Sequence, residues 1–212
     1  PNWATTLKIS PTSPLTAAIQ PAIASSSSGS KLIVAYPGIL NNDDDNSDIF
    51  FSRSTDYGAS WPTKSQLHSS PGVASNSLLV DVAISPNSKG HAIWLEEVGN
   101  VNRLVYKYED NWGNNSSNLV TISTLAAVDG TVAGQGRIVA KSNNRLDVVW
   151  VEYNFLSDSN ANIYHAYSTS STGSSWQGKA RIANTSPSSV LPDITIDSSG
   201  KYHVVWEEGT HP

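Results

Sequence analysis

Four stretches of this chain read alike and return at a nearly fixed interval, and that periodicity limits the possible folds more than any other feature. An apolar run ends on an aromatic residue at Tyr36, Trp94, Trp150 and Trp206, spaced 58, 56 and 56 residues apart. Each run follows a second stretch of similar pattern, at Pro21–Ser25, Asp81–Ser85, Arg137–Lys141 and Asp193–Asp197. A further series of indoles, Trp3, Trp61, Trp112 and Trp176, recurs out of phase at spacings of 58, 51 and 64. All seven Trp therefore fall on two repeat-phased positions. A period of this length marks a row of small supersecondary units, each unable to bury its own apolar faces without a neighbour.

Within each period, short alternating or β-branched runs are separated by clusters of Gly, Ser, Asn and Asp, which is strand-and-turn punctuation. No stretch carries a capped 3.6-residue apolar period. Four short strands per unit at this period predict an all-β fold, a β-propeller of about four blade-length repeats. From axis to rim the strands are expected at 21–25, 31–37, 48–54 and 61–67; at 80–85, 90–96, 102–108 and 116–122; and at 136–141, 145–152, 162–168 and 176–183. A fourth unit has only 193–197 and 201–208, and Trp3–Ile9 has the phase of its outermost strand. The whole of 1–212 then reads as one domain: 1–20 an outer strand and linker, 21–78, 79–133 and 134–191 complete blades, and 192–212 the inner strands of an incomplete one. The incomplete blade is closed by the N-terminal strand, or the chain is part of a larger ring or is completed by another polypeptide. The chain contains no Met and opens on Pro1, which is read as the start of a processed product or excised fragment.

Ser54, Asp56, Gly58 and Trp61 match the Asp-box, Ser/Thr-x-Asp-x-Gly-x-x-Trp. Thr169, Ser171, Gly173 and Trp176 read as a worn copy, and in the second unit only Trp112 remains. On these motifs, and on the phased strands around them, the chain resembles the sialidase-like Asp-box (bacterial neuraminidase repeat) propellers over essentially its whole length. The resemblance implies that the box is a folding device at the rim, opposite the active site, so Asp56 is not expected to be catalytic. Its side-chain oxygens tie up backbone N–H groups of a tight turn. The family's sialidases hold the substrate carboxylate with three Arg from separate blades. Of the five Arg here, Arg53, Arg103, Arg137, Arg145 and Arg181, only Arg137 stands on an inner strand. A complete clamp is not expected from this chain alone.

Composition narrows the partners. A net charge of -5 argues against nucleic acid, which demands a clustered basic surface. No apolar run reaches the roughly 18 residues of a membrane-spanning helix. Without Cys there are no disulfides, thiolate nucleophiles or zinc–cysteine sites. Low charge and richness in Ser, Asn and Thr suit an extracellular, secreted protein.

Candidate ligand-binding residues come from the repeat itself. The inner-strand position thirteen before the aromatic holds Asp81, Arg137 and Asp193, polar residues that differ between blades and are expected near the axis. Glu96, Glu152 and Glu208, two after the Trp, recur in blade after blade and are expected to be structural. The acidic run 41–48 is read first as a solvated loop. If it holds a cation, hard oxygen ligands suit Ca2+, through Asp43, Asp45 and Asp48. His91 and His203 are repeat equivalents and read as strand residues. The leading expectation is a non-catalytic module recognising glycan or protein. The alternatives are a sialidase-like glycoside hydrolase and an assembly component with an open blade edge.

Overall fold

The computed structural model describes residues 7–10, 15–40, 46–69, 75–99, 101–110, 114–115, 118–126, 131–154, 158–183 and 188–209. Among them all regular structure is β. The first unit holds β1 (Leu15–Ala18), β2 (Ala22–Ser25), β3 (Leu32–Leu40), β4 (Ser47–Ser54) and β5 (Thr63–His68). The second holds β6 (Ser75–Ile84), β7 (Gly90–Val98), β8 (Val101–Asp110), β9 (Asn114–Asn115) and β10 (Val120–Ala126). The third holds β11 (Thr131–Ala140), β12 (Leu146–Asn154), β13 (Asp158–Ser168) and β14 (Gln177–Arg181), and the fourth β15 (Ser188–Ile196) and β16 (Tyr202–Gly209). Each unit is an antiparallel meander, and one parallel bridge, Ser47 to Asn76, links the first two sheets.

The same hairpin joins the two innermost strands of every unit. Backbone N–H groups of Ser26, Ser85, Lys141 and Asp197 donate to the carbonyls of Lys31, Lys89, Arg145 and Lys201 at 2.7–3.0 Å. Each hairpin carries one left-handed residue, Gly29, Ser88, Asn144 or Gly200, with φ between 64° and 80°. That is the geometry of a turn whose bulge residue restores the strand twist. Inner strands β2, β6, β11 and β15 neighbour one another in sequence order, so the sheets stand side by side around an axis.

Wedges between sheets are filled by the phased residues. Trp94, Val82 and Val105 of the second unit pack on Ile33, Ala35, Ile49 and Phe51 of the first. Trp150, Leu146 and Val148 of the third pack on Ile93, Leu95, Leu104 and Tyr106 of the second, and Trp176 meets Tyr106 edge-on at 5.3 Å. Val190, Ile194, Tyr202 and Val204 of the fourth cover Val149, Val151 and Ile163. Trp94 and Trp150 are fully buried, whereas the equivalent Trp206 is 39% exposed and Val205 65% exposed, β16 having no third strand among the described residues. Trp3 and Trp112 lie outside the described residues. So does most of the expected strand Trp3–Ile9; its described end places Ile9 on Val34, Tyr36 and Phe50 of the first sheet, with its carbonyl accepting from Ser52 Oγ at 2.6 Å.

Two expectations shift. The inner strands begin about five residues earlier than the sequence pattern suggests, because each contains a register break, between Leu78 and Asp81, Ala133 and Gly136, and Val190 and Asp193. In the first unit the break separates β1 from β2. An extra residue reverses which face the alternation points to, and hides the earlier half of the strand from a period-2 search. The third unit's turn is also offset. Leu32 pairs with Ser54 and Leu146 with Ser168, so Ser168 and Ser170, not Thr169 and Ser171, stand where Ser54 and Asp56 do. Ser168 Oγ accepts from the Ser170 N–H at 3.2 Å, as Ser54 Oγ accepts from Asp56 N–H. The turn before Trp176 is one residue longer.

Candidate ligand cleft at the bulged end of the axis

The repeated register break builds the site. The residues two before the inner-strand position of interest are Gln20, Leu79, Gln135 and Leu191. Three of them are held in the left-handed region, at φ 43° for Gln20, 53° for Leu79 and 52° for Leu191. A bulky residue there costs on the order of 1–3 kcal/mol of backbone strain, and such bulges serve to re-aim the side chains that follow. Those that follow are Ala22, Asp81, Arg137 and Asp193, register equivalents facing Ala35, Ile93, Val149 and Val205 on the second strands.

Asp81 and Arg137 line one cleft of about 280 Å³, together with Gln20, Ile23, Leu79 and Gln135. Asp193 reaches its rim, its Oδ1 3.9 Å from Arg137 Nε. Asp81 Oδ2 accepts the Ile138 N–H at 2.8 Å, across the boundary between two sheets. Burial pushes the Asp81 carboxyl above its ordinary range, only partly opposed by that N–H and by the Arg137 charge. Arg137 Nη1 donates to the Gly136 carbonyl at 3.1 Å, and with the Gln135 amide oxygen turned inward Nη1 and Nη2 both donate to it. At the other end of the axis a second cleft, of about 290 Å³, is lined by Ser25, Ile84, Ala140 and Ile196 near the hairpins, with no charged side chain among its described lining residues.

The recurrent carboxylates have a different part. Glu96 accepts from the Trp94 indole at 2.7 Å, from Ser77 Oγ at 2.7 Å and from His68 of the neighbouring sheet at 2.9 Å. Burial works against its charge, but the bonds from His68, Trp94 and Ser77 outweigh it and hold Glu96 below the usual range. Glu152 repeats the pattern on Trp150 and on Ser123 of the preceding unit, both at 2.8 Å. Trp94-x-Glu96 and Trp150-x-Glu152 therefore each tie one sheet to the one before it.

Asp43 and Asp45 lie outside the described residues. Asp48 is not in a loop but in β4, buried, where it accepts from Gln66 Nε2 at 2.5 Å. No group of three His, Cys, Asp or Glu suited to a metal is present among the described residues. Asp56 closes the turn between β4 and β5: Ser54 and Ser60 donate to it and hold its carboxyl down at about 2, and Trp61 Nε1 reaches the Gly58 carbonyl at 3.1 Å. Because β4 runs away from the cleft, this turn stands at the opposite end of the sheet.

His91 and His203 anchor hairpins. His91 Nε2 lies 2.8 Å from Ser85 Oγ and Nδ1 2.7 Å from the Tyr106 hydroxyl, while His203 Nε2 lies 2.9 Å from Asp197. Burial, with Lys89 nearby, depresses His91 to about 3. Between pH 6.5 and 3 the unfolded chain binds a proton that the folded chain refuses, so stability falls as pH falls, by about 1.4 kcal/mol per pH unit. His91→Gln is expected to lose that slope, and urea titrations of both proteins at pH 6.5 and 4.5 measure the difference. Equal slopes would contradict the assignment.

No family model and no curated protein matches the sequence. Solved structures do. A protein of unknown function from Dyadobacter fermentans superposes with a TM-score of 0.70 at 13% identity, over 95% of this chain and 64% of that one. The fold is a β-propeller of the sialidase and arabinanase type. Penicillium chrysogenum alpha-L-arabinanase, solved with arabinobiose, gives a TM-score of 0.65 at 12% identity, over 98% of this chain and 63% of that one. Leech intramolecular trans-sialidase, solved with 2,7-anhydro-Neu5Ac, gives 0.65 at 12%, over 92% and 48%. The propeller chain thus spans less than two thirds of each of these three.

Proposed function

We propose that this propeller is a secreted recognition module that binds glycans in the cleft at the bulged end of its axis. The observation that carries the reading is the contrast between the two ends. Four inner strands repeat one another closely, yet one end collects Asp81, Arg137, Gln20 and Gln135 beside the apolar Ile23 and Leu79, while the other is lined by small and aliphatic residues. A concave mix of apolar patches and a few convergent polar groups is what a small ligand requires. Two structural neighbours, an arabinanase and a trans-sialidase, were solved with sugars, which supports a carbohydrate over other ligands. The low-charge, Ser- and Asn-rich composition supports a place outside the cell.

A glycan array probed with the intact chain tests this. Binding is expected, and Asp81→Asn or Gln135→Ala should weaken it at least about tenfold, or 1.4 kcal/mol. An array without a binder, or binding indifferent to both substitutions, contradicts the reading.

One observation favours a second reading, glycoside hydrolysis. Asp81 is held protonated more readily than an ordinary Asp and shares its surroundings with a second, solvated carboxylate, Asp193. An acid and a base of differing environment are the minimum for that reaction. Release of reducing sugar from arabinan, or of sialic acid from 3'-sialyllactose, and its loss in Asp81→Asn, would establish hydrolysis over recognition alone.

A further inference from the structure

We infer that the axial cleft selects neutral sugars and rejects those carrying a carboxylate; the inference rests on the glycan-binding reading and narrows its ligand class. A carboxylate-bearing sugar requires a cation whose donors are available. Among the described residues that line the cleft the one cation is Arg137. Its Nη1 is directed to the Gly136 carbonyl and to the Gln135 amide oxygen, its Nη2 to the same amide oxygen, and its Nε toward Asp193. The Nη1/Nη2 edge is taken by the Gln135 amide oxygen and the Nε side is turned to the Asp193 carboxylate, so an incoming carboxylate would compete with a protein acceptor on either face.

The charge balance points the same way. Asp193 faces Arg137 and Asp81 lies beside it; whenever Asp81 is ionised, two carboxylates outnumber the one guanidinium and the field in the cleft is negative, and when it is protonated the Arg137 charge is still offset by Asp193. A ligand anion placed there would face like charges at short range, where they are screened less than in bulk water. The remaining lining groups suit a neutral polyol. The amides of Gln20 and Gln135 offer both donors and acceptors for hydroxyls, Asp81 and Asp193 accept from hydroxyls, and Ile23, 66% exposed at the cleft, offers an apolar patch for the C–H face of a ring.

The test pairs each neutral glycan with its sialylated counterpart, lactose with 3'-sialyllactose among them, alongside arabinobiose and longer arabino-oligosaccharides, using the intact chain and the double variant Asp81→Asn/Asp193→Asn. Neutral members are expected to bind, and each sialylated partner that places its sialic acid in the cleft at least about tenfold more weakly. In the double variant, which keeps Arg137 and removes both negative charges, that gap should close to about twofold or less, with the sialylated members bound more tightly than by the intact chain and not merely the neutral members bound more weakly. Sialylated members bound as tightly as their neutral partners, in a manner sensitive to Gln135→Ala, would overturn the selectivity while leaving glycan binding intact. A gap that persists undiminished in the double variant would overturn its electrostatic cause. No binding by any member would remove the glycan reading itself. Thermal melts of both variants confirm that each is folded before its binding is interpreted.

Discussion

Trp150→Ala should cost about 3–5 kcal/mol of folding stability, and Trp94→Ala a similar amount, because each removes a fully buried indole from a wedge between two sheets. Both also strand a buried carboxylate. Glu152 accepts from Trp150 Nε1 and Glu96 from Trp94 Nε1, so truncation takes away one of the bonds that keep each Glu charged inside the protein. The repeat equivalent Trp206 provides an internal control. It is 39% exposed on an edge strand, and Trp206→Ala should cost well under half as much. Urea unfolding of the three variants gives the comparison. Equal costs at all three positions would mean that the indoles do not act as filling between sheets.

Arg53→Met should cost about 3–5 kcal/mol, and adding Glu109→Leu should restore most or all of that loss. Arg53 of β4 and Glu109 of β8 form a buried ion pair between the first two sheets, and Arg53 Nε has no hydrogen-bond partner among the described residues. Burial dominates both ends of the pair: it pushes Glu109 up to about 7 against the pull of Arg53, and pushes Arg53 below the ordinary arginine value. Removing one partner leaves an isolated buried charge, whereas replacing both with apolar groups of similar size leaves none. The pH dependence carries the matching sign. A carboxyl raised from 4.5 to about 7 binds its proton more tightly when folded, so the pair's contribution to stability falls as pH rises from 4.5 through 7. Arg53→Met/Glu109→Leu should lack that trend. A double variant as unstable as the single one would show that the pair is a net source of stability.

Much of this architecture was legible in the chain before its shape was considered, because the propeller repeats one physical solution. Phased aromatics announced the repeat, and clusters of Gly, Ser, Asn and Asp announced turns that the structure closes with Gly29, Ser88, Asn144 and Gly200 at similar positive φ. What the sequence concealed lies where a repeat departs from simple alternation. The bulges before Ala22, Asp81, Arg137 and Asp193 shift the alternation by one, so the first halves of β6, β11 and β15 do not read as continuations of the strands they belong to. Gln20 and Gln135 were overlooked for the same reason, though aligning the repeats two residues further back puts Gln, Leu, Gln and Leu in one column beside the axial residues. Glu96 and Glu152 were legible as structural because they recur, but not the indole N–H each accepts, which needs the side chains of positions two apart on one strand face. The ion pair of Arg53 with Glu109 left no trace at all: 56 residues separate its members and neither stands in a motif.

On the proposed function, ligand binding belongs to the bulged end of the axis. Backbone amide shifts of the intact, isotope-labelled chain, recorded as the tightest glycan from the array is added, test it most directly. Perturbations should concentrate at residues 20–23, 79–81, 135–138 and 191–194. Shifts confined instead to the hairpins at 26–31, 85–90, 141–146 and 197–202, or to the turn at 54–61, would contradict it.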